Sequence, residues 1–284
     1  MKILCVGDVV GEPGRRAFRA VVPAMRAAGE VSAVVVNAEN AAGGRGITAA
    51  IAAELFAAGA DAITLGDHTW DQRDAPAFLA QERRVVRPAN YPPKCPGRGW
   101  TLVSVPAGTF AVANLLGRVF MGPADDPFAA IDALLAGPVP RDVPLVVDFH
   151  AEATSEKIAM GWHLDGRAAA VFGTHTHVQT ADAKVLPKGT GYVTDVGMTG
   201  PVVSVIGREV EPVLAKFTTG MPAKFDVAKG PVALDGCVFD VDPATRRCRS
   251  APPVRREGAE GGRGRAARAL SFFGSAPATL SARH

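Results

Sequence analysis

Residues 1–8 read Met-Lys-Ile-Leu-Cys-Val-Gly-Asp, a short apolar run that ends in a glycine and a carboxylate. The run Lys2–Val6 is almost continuously apolar, which is typical of a strand buried on both faces of a sheet. Further runs of this kind lie at Val31–Val36, Ala62–Leu65, Leu145–Val147 and Ala169–Phe172. The sequence therefore predicts a sheet that is covered on both sides.

Helical patterns separate these runs. Ala, Leu, Phe and Ile recur at helical spacing in the stretches Arg15–Ala28, Thr48–Ala58, Ala75–Glu82 and Pro127–Leu135. This alternation predicts an α/β fold with parallel strand pairing wherever a helix crosses over. The runs Leu102–Val105 and Phe110–Leu115 predict an inserted β-hairpin. Later runs predict further strands of an α/β sandwich, at Tyr192–Asp195, Val202–Ile206 and Cys237–Asp240.

The charge of the chain is unevenly distributed. The 284 residues carry a formal net charge of +3, but residues 251–284 hold six Arg against two Glu. This segment is also of low complexity, so we expect a domain over residues 1–250 and a disordered basic tail over 251–284. The main domain has no excess of basic residues, which argues against a polynucleotide-binding surface there.

The cysteines and the hydropathy pattern predict a cytoplasmic protein. The four cysteines lack any CxxC spacing, and Cys5 lies in an apolar strand where a free thiol acts as a small hydrophobe. The N-terminus does not have the layout of a signal peptide. No apolar run approaches the ~20 residues that a membrane-spanning helix needs.

The sequence itself carries no signal for the assembly state. Homo-oligomers are common among cytosolic enzymes of this size, so a homo-oligomer is possible on the base rate alone.

Each apolar run is followed by a polar motif. In chain order these motifs are Gly7-Asp8, Asn37-Ala38-Glu39-Asn40, Gly66-Asp67-His68, Asp148-Phe149-His150-Ala151-Glu152 and Gly173-Thr174-His175-Thr176-His177. Ligands of α/β sheets bind beyond the carboxyl ends of the strands, which is where these motifs fall. Five consecutive polar motifs at strand ends are hard to explain by packing alone. They predict a functional site.

The side chains of these motifs favour a metal site with more than one ion. Carboxylate, amide and imidazole donors without thiolate suit Mn, Fe or Zn better than Mg or Ca. The candidates outnumber the four ligands of a tetrahedral ion, and two ions bridged by a carboxylate account for the excess. A pair of metals ~3.5–4 Å apart can clamp a phosphoryl group and activate a water. The pattern therefore indicates a dinuclear phosphoesterase.

The motifs resemble those of the YmdB-like branch of the calcineurin-type metallophosphoesterases. The resemblance extends from Met1 to about Asp240, and the eleven residues that begin at Asp148 carry much of it. It implies a metallophosphoesterase-type α/β sandwich in which mixed sheets are flanked by helices in a single domain. It also implies that the substrate is a small phosphodiester, characteristically a 2′,3′-cyclic nucleotide that yields the 3′-phosphorylated nucleoside.

The same resemblance assigns roles to individual residues. It implies that Asp8, Glu39, Asn40 and His177 hold one metal, and that Glu39 bridges to a second metal held by Asp67, His150 and His175. His68 would be the general acid that protonates the leaving oxygen. The implied metals are iron or manganese.

Two positions depart from the wider pattern. The superfamily has a histidine where Val10 stands here, a loss that the YmdB-like branch shares. The third motif of the family usually reads Gly-Asn-His, whereas position 67 is Asp in this chain. An Asp oxygen can still coordinate a metal, and its extra negative charge should tighten the binding of hard cations.

Two rival functions remain open from the sequence. The same site could serve a broad-range phosphatase that acts on phosphomonoesters or phosphoproteins. Alternatively, the metal site could be vestigial and the protein a regulatory binding protein. Around the predicted ligands, Glu152, Thr154 and Lys157 either orient metal-binding side chains or cap a helix.

Overall fold

The computed structural model describes residues 1–258, and its first strand, β1 (Lys2–Val6), shows why the opening run is continuously apolar. Leu4 and Val6 face a core beneath the helices, whereas Ile3 and Cys5 face a second core between two sheets. All four side chains are fully buried. A strand buried on both faces consists mainly of apolar side chains.

Within residues 1–258, nine strands form the first sheet and six form the second. The first sheet contains β1, β2 (Asp8–Val9), β3 (Ala33–Asn37), β4 (Ala62–Thr64), β5 (Val85–Val86), β12 (Met198–Pro201), β13 (Val232–Val241), β14 (Cys248–Ser250) and β15 (Pro253–Gly258). The second contains β6 (Trp100–Val105), β7 (Gly108–Leu116), β8 (Leu145–His150), β9 (Ala170–Thr174), β10 (Lys184–Val185) and β11 (Gly191–Val193). The helices are α1 (Gly11–Ala27), α2 (Ala49–Ala57), α3 (Ala75–Gln81), α4 (Pro127–Ala136), α5 (Thr154–His163) and α6 (Val210–Thr219).

Both sheets are mixed. The order of the first sheet is β2-β12-β13-β1-β3-β4-β5, and β1, β3, β4 and β5 run parallel. β13 is antiparallel to β1, β12, β14 and β15. In the second sheet, of order β10-β11-β9-β8-β7-β6, the central strands are parallel and the predicted hairpin forms the antiparallel pair β6–β7.

Helices cover the outer face of each sheet. Phe18 and Val22 of α1 pack on the first sheet, together with Leu55 of α2 and Leu79 of α3. A third core covers the outer face of the second sheet, where Ile131 of α4 and Met160 of α5 pack. The second core fills the space between the sheets. This arrangement confirms the predicted α/β sandwich of mixed sheets flanked by helices.

Side-chain caps mark the start of two predicted helices. The Thr48 hydroxyl accepts a hydrogen bond from the backbone N–H of Ile51 at 3.3 Å, ahead of α2. The Asp126 carboxylate accepts one from the N–H of Phe128 at 2.8 Å, ahead of α4. Both caps satisfy a backbone donor that has no partner within the helix.

The predicted strand at Val202–Ile206 is wrong. The strand in this region is β12, which ends at Pro201, and the following chain turns back on itself. Val203 is 65% exposed and Ile206 has a left-handed backbone with φ of 43°. A β-branched residue in that conformation cannot continue a strand. The apolar segment Val202–Ile206 therefore forms a surface turn.

The predicted start of a disordered tail at residue 251 also differs from the structure. Residues 253–258 form β15, which pairs with β13 over six residues. Val254 is buried against the first core, and Arg255 contacts Asp235 at 3.0 Å. Part of the arginine-rich segment therefore forms β15 of the first sheet. The remainder of the predicted tail, residues 259–284, lies outside the described residues.

Within residues 1–258, the helices are too short or too polar for any of them to cross a bilayer.

The parallel strands determine where the polar motifs lie. Their carboxyl ends point to one edge in each sheet, and these two edges adjoin each other. All five polar motifs lie there.

Candidate metal centre

The structure brings all seven predicted ligand residues together. The first sheet contributes Asp8, which begins β2, together with Glu39, Asn40 and Asp67, which follow β3 and β4. The second sheet contributes His150, which ends β8, together with His175 and His177, which follow β9. Four donor atoms, from Glu39, Asp67, His150 and His175, lie within 4.8 Å of one another. The strand-end motifs therefore converge on one point between the two sheets.

The tightest part of the cluster combines one carboxylate with two imidazoles. His150 Nε2 lies 3.0 Å from Asp67 Oδ1 and 3.1 Å from His175 Nδ1. His175 Nδ1 lies 3.4 Å from the same Asp67 oxygen. Three potential ligand atoms this close to one another leave a shared position that a single cation can occupy.

Glu39 connects this part of the cluster to the rest. Its Oε1 lies 3.3 Å from His150 Nε2 and 3.0 Å from the side-chain amide nitrogen of Asn40. The Asn40 amide in turn lies 3.3 Å from His177 Nε2, and that nitrogen lies 3.8 Å from Asp8 Oδ1. Glu39 therefore stands between two groups of donors, as a bridging ligand would.

Asp8 carries a direct test of whether a cation fits here. Its side chain is fully buried, and its Oδ1 has no hydrogen-bond partner among residues 1–258. A buried carboxylate oxygen without a partner is costly unless a metal or proton satisfies it. The imidazole nitrogens of His150 and His177 lie 3.9 Å and 3.8 Å away. The residues present therefore fit a metal ion.

The electrostatics of the cluster also favour a positive charge. Burial raises the pKa of Asp8, and the nearby histidines offset only part of this effect. Although burial opposes the charged form of Asp67, hydrogen bonds from His150 and His175 hold its pKa below the ordinary value. Burial also opposes the charged form of His150, but Glu39 and Asp67 raise its pKa well above the ordinary value. The carboxylates thus stabilise a cation at their centre.

A buried ion pair shapes the turn that carries His175 and His177. Both histidines have left-handed backbones, with φ of 96° and 64°. Lys157 of α5 is 1% exposed, and its Nζ lies 2.7 Å from Asp195 Oδ2 and 2.7 Å from the carbonyl oxygen of Thr174. Asp195 also accepts hydrogen bonds from the backbone and hydroxyl of Thr176. The ion pair therefore contacts the turn at Thr174, which precedes His175, and at Thr176, which lies between the two histidines.

Further contacts orient the imidazole rings. His150 Nδ1 lies 2.9 Å from the Thr174 hydroxyl, which donates to the buried carboxylate of Asp148 at 2.7 Å. His177 Nδ1 lies 3.0 Å from the carbonyl oxygen of Ile206, and His175 Nε2 lies 3.3 Å from Glu152. In each ring the other nitrogen is left facing the cluster, which is how metal-binding histidines are usually fixed.

Asp148 lies at the centre of the support behind the cluster. Besides Thr174, it accepts a hydrogen bond from Asn37 at 3.0 Å, and the Thr64 hydroxyl also donates to it. Burial raises its pKa to about 6. The bonds from Asn37 and Thr64 join β8 of the second sheet to β3 and β4 of the first. Asp148 therefore couples the two sheets beneath the metal site.

His68 lies beside the cluster, and its ring contacts Asp71. Its backbone N–H donates to Glu39 Oε2 at 2.9 Å, and its side-chain Nδ1 lies 3.0 Å from Asp71 Oδ2. The ring is partly exposed. Gly66, two residues earlier, leaves space that Glu39 and His150 fill, because a Cβ at this position would overlap both. The backbone of this loop is thus packed directly against the cluster.

The sequence did not identify all of the supporting residues. Asn37 and Asp148 stood inside the motifs without a role, and Asp195 lay outside every motif. Glu152 and Lys157 were interpreted either as orienting groups or as helix caps, and neither caps α5. Thr154 begins α5 and makes no capping hydrogen bond. The sequence does contain one indication of the supporting role of Asp148. It is a charged residue within the buried strand Leu145–His150, where charged residues are rare.

Comparison with known proteins identifies the family. Residues 4–254 match the sequence profile of the YmdB-like protein family. A 2′,3′-cyclic-nucleotide 2′-phosphodiesterase from Bacillus subtilis (strain 168) is 49% identical over 247 residues, which is 87% of this chain and 94% of the relative.

Two solved structures are similar as well. A hypothetical protein from Thermus thermophilus is 44% identical, with a TM-score of 0.85 over 91% of this chain and 100% of its own. A novel phosphatase from Mycoplasma pneumoniae is 34% identical, with a TM-score of 0.85 over 92% of this chain and 95% of its own. With this sandwich and this set of strand-end residues, the chain belongs to the YmdB-like protein family.

Proposed function

We propose that this protein is a metal-dependent phosphodiesterase that hydrolyses 2′,3′-cyclic nucleotides to nucleoside 3′-phosphates. The observation that carries the proposal is the convergence of seven candidate ligand residues at one place, among them Asp8, whose buried Oδ1 has no hydrogen-bond partner within residues 1–258. The choice of substrate is supported by the relative from Bacillus subtilis, whose name gives this activity and which matches 87% of the chain.

Two metal ions fit the arrangement of donors. Asp8, Asn40 and His177 would hold one ion together with Glu39, and Asp67, His150 and His175 would hold the other with the same carboxylate. The mixture of oxygen and imidazole donors suits Mn, Fe or Zn, and the resemblance to the YmdB-like family implies iron or manganese. When bound, such a pair supplies Lewis acidity that activates water and offsets the negative charge of the phosphoryl group.

The position of Glu39 supports its proposed role as the bridging ligand. Its side chain is 1% exposed, and Oε1 is within 3.3 Å of donors from both groups. Its other oxygen accepts the backbone N–H of His68 at 2.9 Å, which fixes the orientation of the carboxylate. The same hydrogen bond ties the position of His68 to the cluster, so a phosphoryl group bound there lies next to this loop.

His68 is the residue that would supply a proton to the leaving oxygen. Its Nδ1 lies 3.0 Å from Asp71 Oδ2, an arrangement in which Nδ1 donates to the carboxylate and Nε2 is free. In the hydrolysis, a water oxygen bonds to phosphorus and the water releases one proton to solvent, while the bond between phosphorus and O2′ breaks and His68 Nε2 gives its proton to O2′. His68 then regains a proton from solvent. The contact with Asp71 fixes the orientation of the ring for this transfer.

A substrate panel with metal analysis tests the proposal. Purified protein loaded with Mn or Fe would be compared on 2′,3′-cyclic AMP, p-nitrophenyl phosphate and bis-p-nitrophenyl phosphate. We expect about two metal ions per chain, the highest kcat/KM on the cyclic nucleotide, and 3′-AMP as the product. Preference for p-nitrophenyl phosphate would instead indicate a broad-range phosphatase. The absence of hydrolysis of every ester with both metals bound would indicate a regulatory protein.

A further inference from the structure

A cavity of about 480 Å³ lies at the far edge of the second sheet from the metal centre. Leu145, the first residue of β8, and Ala169, which precedes β9, line it, whereas the candidate metal ligands lie at the carboxyl ends of these strands. We call this the basic cavity. It is separate from the metal centre, because the two sites lie at opposite ends of the same parallel strands.

The floor of the basic cavity is apolar. Val139 and Leu145 are each 3% exposed, and Ala168 and Ala169 are similarly buried. Leu135 at the end of α4 and Val143 extend the same surface. A concave floor of aliphatic side chains can accommodate a flat or apolar part of a small molecule.

The charged residues around this floor are mostly cationic. They are Arg141, Arg167, Lys188, Arg246 and Arg247, against one carboxylate, Asp132. Asp132 is already neutralised, since Arg167 Nη2 contacts it at 2.6 Å and His163 at 2.9 Å. In the stretch 1–258, the other four cationic side chains form no ion pair with a carboxylate. The cavity therefore has a strong, uncompensated positive charge.

The packing of the surrounding loops brings these cations to the rim. The Arg247 stem lies over Gly189, where an added Cβ would be 2.9 Å from its Cγ, and the Lys188 stem lies over Gly166 in the same way. The loop that carries Arg246 is closed by a hydrogen bond of 2.8 Å from its backbone N–H to the carbonyl oxygen of Asp242. The stems are thus packed against backbone, while the charged ends are left to line the cavity.

We propose that the basic cavity binds a small organic phosphate, with the chemistry of a nucleoside phosphate, as a second ligand of this protein. The phosphates would meet the four unpaired cations, which bind phosphate oxygens through charge-assisted hydrogen bonds, and the base would lie on the apolar floor. The volume is within the usual range for small-molecule sites, ~300–1,000 Å³. A concave site lined by four loops and a helix favours a small molecule over a polynucleotide.

The test combines calorimetry with hydrogen exchange on the metal-loaded, full-length protein, using ADP as the probe and adenosine as the uncharged comparison. Two cations would be removed together by Arg141→Gln and Arg246→Asn, because asparagine tolerates the left-handed backbone at position 246, where φ is 58°. The matched control removes two exposed cations elsewhere, by Arg83→Gln and Lys94→Gln. Neither pair touches the metal centre.

We expect ADP to slow backbone exchange in residues 186–189 and 245–247 and to bind more tightly than adenosine. The Arg141/Arg246 variant should abolish this protection and weaken ADP binding at the cavity at least about tenfold, whereas the control pair should leave it unchanged. Both variants should keep the wild-type kcat/KM on the cyclic nucleotide. Retained activity with lost ADP binding would separate this site from the catalytic centre.

Three results would overturn the proposal. Protection by ADP confined to residues around 175–177 would place all binding at the metal centre. Equal affinity for ADP in the wild type and the Arg141/Arg246 variant would show that the cations do not bind phosphate. Single-stranded RNA that binds these cations with an affinity that increases with its length would indicate a polynucleotide surface instead.

Discussion

The donors that the first sheet contributes to the metal centre are carboxylates and an amide, whereas every donor from the second sheet is an imidazole. The two groups are also held differently. The donors of the first sheet follow their strands without left-handed backbone at the candidate ligands. His175 and His177 both sit in left-handed conformations, which cost about 1–3 kcal/mol each, on a turn held by Lys157 and Asp195.

This difference separates local from long-range determination of the site. A carboxylate at the end of a parallel strand lies at the correct edge as soon as the strand forms. The histidine turn instead requires a lysine from α5 and an aspartate that precedes β12 to meet in the protein interior. Substitution of a donor from the first sheet should therefore affect metal binding directly. Substitution of Lys157 or Asp195 should affect metal binding through the shape of the turn that carries His175 and His177.

The largest effect is expected for Glu39→Gln, which changes the residue shared by both groups. Loss of one negative charge from the bridging position should reduce metal content from about two ions to below one and lower kcat/KM by more than about 100-fold. Elemental analysis after gel filtration and the rate on 2′,3′-cyclic AMP measure both effects. Glu30→Gln changes an exposed carboxylate and should alter neither quantity. Full metal content in the Glu39 variant would exclude a bridging role.

His68→Asn should reduce turnover without reducing metal content. The variant lacks the proton donor, so we expect a loss of about 100-fold on the cyclic nucleotide, whose leaving oxygen is a poor leaving group. On bis-p-nitrophenyl phosphate the loss should be much smaller, because nitrophenolate departs without a proton. Rates on both esters, together with elemental analysis, decide the result. A similar loss on the two substrates would argue against general-acid catalysis.

Lys157→Met tests the support behind the histidine turn. Asp195 would be left buried and unpaired, which should lower the free energy of unfolding by about 3–5 kcal/mol. The loosened turn should also weaken metal binding about tenfold. Urea unfolding and metal titration measure the two effects separately.

The double variant Lys157→Met with Asp195→Asn provides the control for this experiment. It contains no unpaired charge, so it should recover part of the lost stability. Its metal affinity should remain low, since the turn is still without its ion pair. Recovery of both properties together would mean that the pair acts on stability alone.

Asp67→Asn should have the smallest effect of the four. An amide oxygen can still coordinate, so the second metal should remain bound, although more weakly because one negative charge is lost. Metal titration with Mn and Fe should show a several-fold lower affinity and a modest change in rate. Loss of the second ion altogether would show that the carboxylate charge at this position is essential in this chain.

The fold class and the gathering of the candidate ligands could be predicted from the sequence because both depend on local patterns. The run Lys2–Val6 became β1 with the same bounds, and each strand-end motif reached the same edge. The pairing of Lys157 with Asp195 was not predictable, because the two residues are 38 positions apart and meet only when α5 packs on the second sheet. Asn37 and Asp148, 111 positions apart, meet only when the two sheets come together.

The errors have a similar physical origin. Val202–Ile206 has the composition of a strand, but its position after Pro201 and its left-handed Ile206 place it in a turn. Residues 253–258 look like part of a basic tail, but the long strand β13 offers a free edge with which they pair. In both cases the tertiary partner, and not the local composition, decided the structure.

The short strand β2 makes the placement of one candidate ligand depend on a late part of the chain. Asp8 lies in β2, whose partner in the sheet is β12, almost two hundred residues later in the chain. The backbone N–H of Asp8 donates to the carbonyl oxygen of Gly197, and its carboxylate accepts the N–H of His175. A nascent chain that has not yet exposed β12 therefore lacks the contacts that position Asp8 among the other candidate ligands. A chain truncated before β12 should therefore lack the ordered Asp8 ligand of the proposed metal centre, even where the strands that carry Glu39 and Asp67 have formed.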